Sequence, residues 1–91
     1  MAKKLHMTLS QKHMELLLEH VEVYIVNEAI AQEIKSSTLK DGFYSISLDA
    51  DELDELTGSI MFVSNDDETD ALIVEELDAL ADHFESYLEL G

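Results

Sequence analysis

From Ser10 onward, apolar residues recur at helical spacing. Met14, Leu17, Leu18, Val21 and Ile25 form one line, and Leu16, Val23, Ile30 and Ile34 form a second beside it. The spacing predicts a helix capped by Ser10 and running to Ile34 or Lys35. Its polar stripe, Glu15, Glu19, Glu22 and Glu33, is narrow. A helix apolar over so wide an arc needs cover on more than one side. The expected cover is a second copy of the chain, with Leu17, Val21, Tyr24 and Ile25 at the dimer interface. A competing reading takes the β-branched run Val21–Val26 as a strand after a shorter helix.

Asp41-Gly42 is a tight-turn dipeptide. After it, Phe43-Tyr44-Ser45-Ile46-Ser47-Leu48 alternates, with Tyr44, Ile46 and Leu48 on one face. This is the clearest strand in the chain, and residues 37–40 are placed to pair with it as a short hairpin arm. Asp49 then caps a helix, and Glu52 three positions on completes an acidic capping box. Leu53, Leu56, Ile60 and Val63 give that helix its inward face. Gly58 sits inside it at a cost of about 1 kcal/mol relative to alanine, which suggests a close helix crossing. Residues 64–68 form a loop. Thr69 or Asp70 caps a last helix whose core face is Ile73, Leu77, Leu80, Phe84 and Leu88.

The expected fold is therefore α+β, mostly helical: a long N-terminal helix, a short β-hairpin, then a two-helix C-terminal hairpin. With 91 residues, 46% of them hydrophobic, the chain makes a single domain over 1–91 with a modest core. Residues 1–7 are expected to fray. Cysteine and proline are absent. Lys3 and Lys4 are followed by no apolar segment of signal-peptide character, and no run is long enough to span a bilayer. The expectation is a cytoplasmic protein.

Charge changes this picture. Residues 1–40 hold all five lysines and five glutamates, so they are neutral overall. Residues 41–91 hold sixteen carboxylates and no basic residue except His83, and the chain has no arginine. The net charge of −16 argues against direct binding of nucleic acid or of an anionic membrane, and points toward an electropositive partner. Glu75, Asp78, Asp82, Glu85 and Glu89 are spaced 3, 4, 3 and 4 apart. They form one stripe opposite the core face of the last helix, with a carboxylate about every 5 Å along the axis. Asp51, Asp54 and Glu55 on the preceding helix, and the loop residues Asp66, Asp67 and Glu68, enlarge the patch if the two helices pack as a hairpin.

Other chemistry finds little footing. Neither Asp49 nor Asp66 opens an EF-hand loop, because the glycine and the closing glutamate are missing in both registers. Loose binding of a divalent cation by Asp66, Asp67 and Glu68 is the most that calcium chemistry suggests. His13 and His20 lie about 10 Å apart along a helix, too far to share one ion. There is no HExxH, no GxSxG and no phosphate-binding glycine loop. The sequence therefore predicts no enzyme, no catalytic residue, no cofactor and no metal.

The leading expectation is a non-catalytic protein that binds a basic partner surface through residues 49–89. Its sharper form imitates a nucleic-acid backbone inside the basic channel of a nucleic-acid enzyme. In size, acidity and lack of cysteine and of catalytic motifs the chain is similar to many phage and plasmid proteins, inhibitors of restriction and CRISPR enzymes among them; this is a resemblance of composition that covers no specific stretch, and no motif identifies such an inhibitor. The alternative is a structural or regulatory module, an antitoxin or complex subunit, working through the apolar first helix, with the acidic face serving only solubility.

Overall fold

A computed structural model describes residues 4–90. The chain begins with a strand. β1 (Lys4–Ser10) leads into the short helix α1 (Gln11–Leu16), a π-helical turn over Leu17–Val21 and a 3₁₀ turn over Glu22–Tyr24. After an extended break at Ile25–Asn27 come α2 (Glu28–Ser36), β2 (Leu39–Lys40), β3 (Phe43–Asp49), α3 (Ala50–Ser64) and α4 (Ala71–Leu90). Among the described residues no helix is long and apolar enough to cross a membrane.

Three strands form one antiparallel sheet in the order β1-β3-β2. β1 alternates as β3 does, with Met7 and Leu9 buried and His6 and Thr8 exposed. Its register sets Met7 opposite Ile46 and Leu9 opposite Tyr44. One face of the sheet therefore packs on the helices and the other meets water. The β2–β3 turn is Asp41-Gly42, with φ of 54° and 84°. Two successive positive φ values make the primed turn whose twist suits a two-residue hairpin.

Both sides of the sheet are closed by side chains. β2 is only two residues long, so β3 loses its neighbour beyond Tyr44. There Glu33 of α2 takes over: its Oε2 accepts the backbone N–H of Ser47 at 2.8 Å. On the far side, His83 of α4 donates through Nε2 to the carbonyl of Thr8 at 2.8 Å. An unpaired strand edge is a template for association, and these contacts occupy part of each edge.

The N-terminal third corrects the expectation of one long helix. Ser10 does cap a helix, its side chain accepting the N–H of His13, but the helical path ends at Tyr24. Residues 21–26 are not a strand either. Asn27 then caps α2 by accepting the N–H of Ala29. The break has a physical reason. A straight helix carries its wide apolar arc past any single neighbour, whereas a bent one turns most of both lines inward and leaves Leu18 and Val23 exposed. Met14, Leu16, Leu17 and Val21 before the bend, and Ile30 and Ile34 after it, are buried in the same core. Residues 4–7 are strand rather than frayed, while residues 1–3 lie outside the described residues.

The C-terminal half follows expectation closely. Asp49 and Glu52 make both hydrogen bonds of the capping box. Leu53, Leu56, Ile60 and Val63 are buried on α3, as are Leu77, Leu80 and Phe84 on α4, with Ile73 and Leu88 partly covered. Asp70 caps α4, its Oδ1 accepting the N–H of Leu72. Gly58 is the exception. A Cβ there would meet nothing within 4 Å, so no helix crosses closely at that position.

Candidate functional site

The periodicity of α4 decides which side chains reach solvent. With its apolar line held in the core, Glu75, Asp78, Asp82, Glu85 and Glu89 are all exposed. The stripe runs over fifteen residues of helix, Glu75 to Glu89, with about 21 Å between its ends. No ion pair neutralises any of the five among the described residues. The lysines that do pair lie elsewhere: Lys4 with Glu52 at 3.2 Å, Lys12 with Glu76 at 2.6 Å and Lys35 with Glu22 at 2.8 Å.

The other acidic residues divide into distinct settings. Asp51, Asp54 and Glu55 are exposed on the first turns of α3, where its dipole favours them. Glu55 turns toward α2 and accepts a hydrogen bond from Asn27 Nδ2 at 2.9 Å. Asp78 accepts one of 2.5 Å from the buried Ser64 hydroxyl of α3, so this member of the stripe also ties the hairpin together. Asp66, Asp67 and Glu68 are exposed in the connection between α3 and α4. Asp66 folds back to accept the N–H of Glu68, an Asx turn. Among the described residues no three histidine or carboxylate groups converge well enough to hold a metal ion.

That connection forms one wall of a cleft of about 360 Å³. Asp66, Glu68 and Asp70 face it from the connection, with Glu19 and His20 from the π-helical turn opposite. Val23, Tyr24, Val63 and Ile73 contribute its apolar lining. Tyr24 also borders a second depression of about 460 Å³, with Glu55, Gly58, Ser59 and Phe62. In the second depression the rings of Tyr24 and Phe62 pack against each other, centroids 5.2 Å apart and tilted by 55°. Tyr24 is 44% exposed and Phe62 60%.

The expected dimer seam is placed differently. Leu17 and Val21 are fully buried inside the single chain, because the π-helical turn packs against α3. Neither side chain is left for a second copy. Tyr24 is exposed and Ile25 half-buried, and Tyr24 borders both depressions. Phe62 went unnoticed in the sequence, although its position off the line Leu53, Leu56, Ile60 and Val63 put an aromatic ring on the polar side of α3. Glu19 and Asp70 are likewise members of the cleft that spacing alone did not select.

One titratable cluster lies apart from these surfaces. His13 and His83 have ring centroids 5.5 Å apart, and His83 meets Tyr87 edge-on at 5.3 Å. Burial, then the neighbouring His83 and Lys12, push the His13 pKa below the ordinary 6.5, with Glu76 opposing. Since His83 already serves the β1 edge, this cluster reads as packing between α1, α4 and the sheet. No family model, curated protein or solved structure matches this chain.

Proposed function

We propose that this protein is a non-catalytic binding protein that engages a basic surface of a partner protein through the outer face of α4. The observation that carries the reading is the exposed, unneutralised row Glu75, Asp78, Asp82, Glu85 and Glu89 on one rigid helix. Holding like charges side by side costs a few tenths of a kcal/mol per pair in an isolated helix. A partner with clustered lysine or arginine relieves that repulsion and gains steering in its approach.

In its sharper form the row stands in for a stretch of nucleic-acid backbone, and the protein inhibits an enzyme by occupying its nucleic-acid channel. The dimensions bear on this. A charge about every 5 Å of axis is sparser than the 3.4 Å of one DNA strand, and 21 Å corresponds to about six base pairs. Asp51 and Asp54 at the start of α3 add exposed charge to the same hairpin.

The test is capture of partners from cell lysate by the wild-type chain and by Asp82→Asn with Glu85→Gln and Glu89→Gln, at low and high salt. Asp78 is left intact because it also bonds Ser64. The expected result is a partner held at low salt, released at high salt and lost from the triple variant. Equal capture by both proteins, independent of salt, overturns the reading. Inhibition of a nucleic-acid enzyme by the captured pair, relieved by competing DNA, distinguishes mimicry from simple charge binding.

A further inference from the structure

The ridge formed by Tyr24 and Phe62 is built from different elements than the α4 stripe and calls for its own explanation. Val23, at 82%, and Val26, at 90%, flank Tyr24 in the chain and are among the most exposed apolar residues of the protein. The core does not require these rings outside: α3 buries Leu56, Ile60 and Val63 without Phe62. Exposed apolar patches with a polar rim mark interaction sites more often than isolated exposed side chains do.

The rim identifies the occupant. One flank of the ridge falls into the cleft bearing Glu19, Asp66, Glu68 and Asp70, and the other falls toward Glu55. A second copy of this chain fits poorly, since a two-fold contact sets each patch against itself and brings these carboxylates face to face. A basic segment fits well. An arginine has a planar guanidinium that stacks on aromatic faces and forks onto carboxylates, and Tyr24 lines the same cleft as Glu19, Asp66, Glu68 and Asp70. An apolar residue next to it would cover the rings from the other side. We infer that the Tyr24–Phe62 ridge with its acidic cleft is a docking site for a short partner segment that presents arginine beside an apolar side chain. The site does not depend on the α4 row binding anything.

The experiment titrates the isotopically labelled full chain, followed by NMR, with a short peptide alternating arginine and leucine. One control peptide replaces leucine by serine and keeps the charge, and another replaces arginine by glutamine. Amide shifts are expected at Tyr24, Phe62 and the Asp66–Asp70 connection, with either control binding at least about tenfold more weakly. Tyr24→Ser with Phe62→Ser is expected to weaken the parent peptide by a similar factor. Asp82→Asn with Glu85→Gln is expected to leave it unchanged. Shifts confined to α4, or equal affinity for the serine peptide, would show charge alone at work and overturn the inference. Shifts at the ridge that grow with protein concentration in the absence of peptide would make the occupant a second copy, and no shift at the ridge would mean no docking site. Because both rings are exposed, the double variant keeps its core, and the peptide controls read the same site in the unaltered chain.

Discussion

Ser64, the last residue of α3, donates its hydroxyl proton to Asp78, two turns into α4. This contact ties the two helices of the hairpin together near their connected end. It also separates Asp78 from its neighbours in the acidic row, whose side chains make no hydrogen bond or ion pair among the described residues. Asp78→Ala is expected to destabilise the protein by about 1–3 kcal/mol, because the buried Ser64 hydroxyl loses a charged acceptor. Asp82→Ala, one turn on, is expected to change stability by less than about 0.5 kcal/mol. Chemical denaturation of the two variants measures both, and equal values would deny Asp78 its structural part.

Glu33 offers a second check on local structure. Its carboxylate is the acceptor for Ser47 where β2 has ended. Glu33→Ala leaves that amide to water or unpaired, with an expected loss of about 1–2 kcal/mol. The sharper readout is hydrogen exchange. The Ser47 amide is expected to lose protection in the variant, while amides of α4 keep theirs relative to global stability. Unchanged Ser47 protection would mean that the carboxylate does not close the edge.

Gly58 makes a prediction of opposite sign. It lies in the interior of α3, and an added methyl would touch nothing. Gly58→Ala therefore keeps the packing and gains helix propensity, for an expected stabilisation of about 0.5–1 kcal/mol. A rise in the melting temperature checks it, and a fall would mean that α3 uses the glycine for a conformation the helix does not display.

His13 links stability to pH. Its folded pKa lies below the unfolded value, so the unfolded chain takes up a proton first as pH falls. Its contribution is fully present above pH 6.5 and is lost as pH drops from there through the folded pKa. Against His13→Gln, the wild-type chain is expected to lose stability between pH 7.5 and pH 5.5, a range set by the ordinary histidine pKa of about 6.5. A pH-independent difference between the two proteins would show that burial and His83 do not disfavour the charged ring.

The features legible in the sequence were those set by local chemistry. The Asp41-Gly42 turn, the Asp49–Glu52 box, the alternation of β3 and the core faces of α3 and α4 each need only a few adjacent residues. The N-terminal third was harder because its decisive contacts are distant. Leu5, Met7 and Leu9 alternate as a strand should, but the pairing partner that makes a strand of them is β3, some forty residues on. The apolar excess of residues 14–34 is covered only in part: bending at Ile25–Asn27 buries Met14, Leu16, Leu17, Val21, Ile30 and Ile34 within the chain and leaves Leu18, Val23, Tyr24 and Val26 exposed. Asn27 ahead of Glu28 is the capping signal that marks the second start. The acidic row was legible because helical spacing alone places it. The aromatic ridge was not, because Tyr24 and Phe62 meet only once the bend and α3 are assembled.

The ion pairs of Lys4, Lys12 and Lys35 have a practical consequence for work on this molecule. Every lysine belongs to the first forty residues, so amine-reactive dyes and cross-linkers attach there, and at Lys4 and Lys12 they displace the ion pairs to Glu52 and Glu76 of the hairpin. Trypsin, likewise, finds no cleavage site beyond Lys40, and α3 and α4 emerge from a digest as one piece. At Lys40, in no ion pair among the described residues, a reporter breaks no ion pair to α3 or α4.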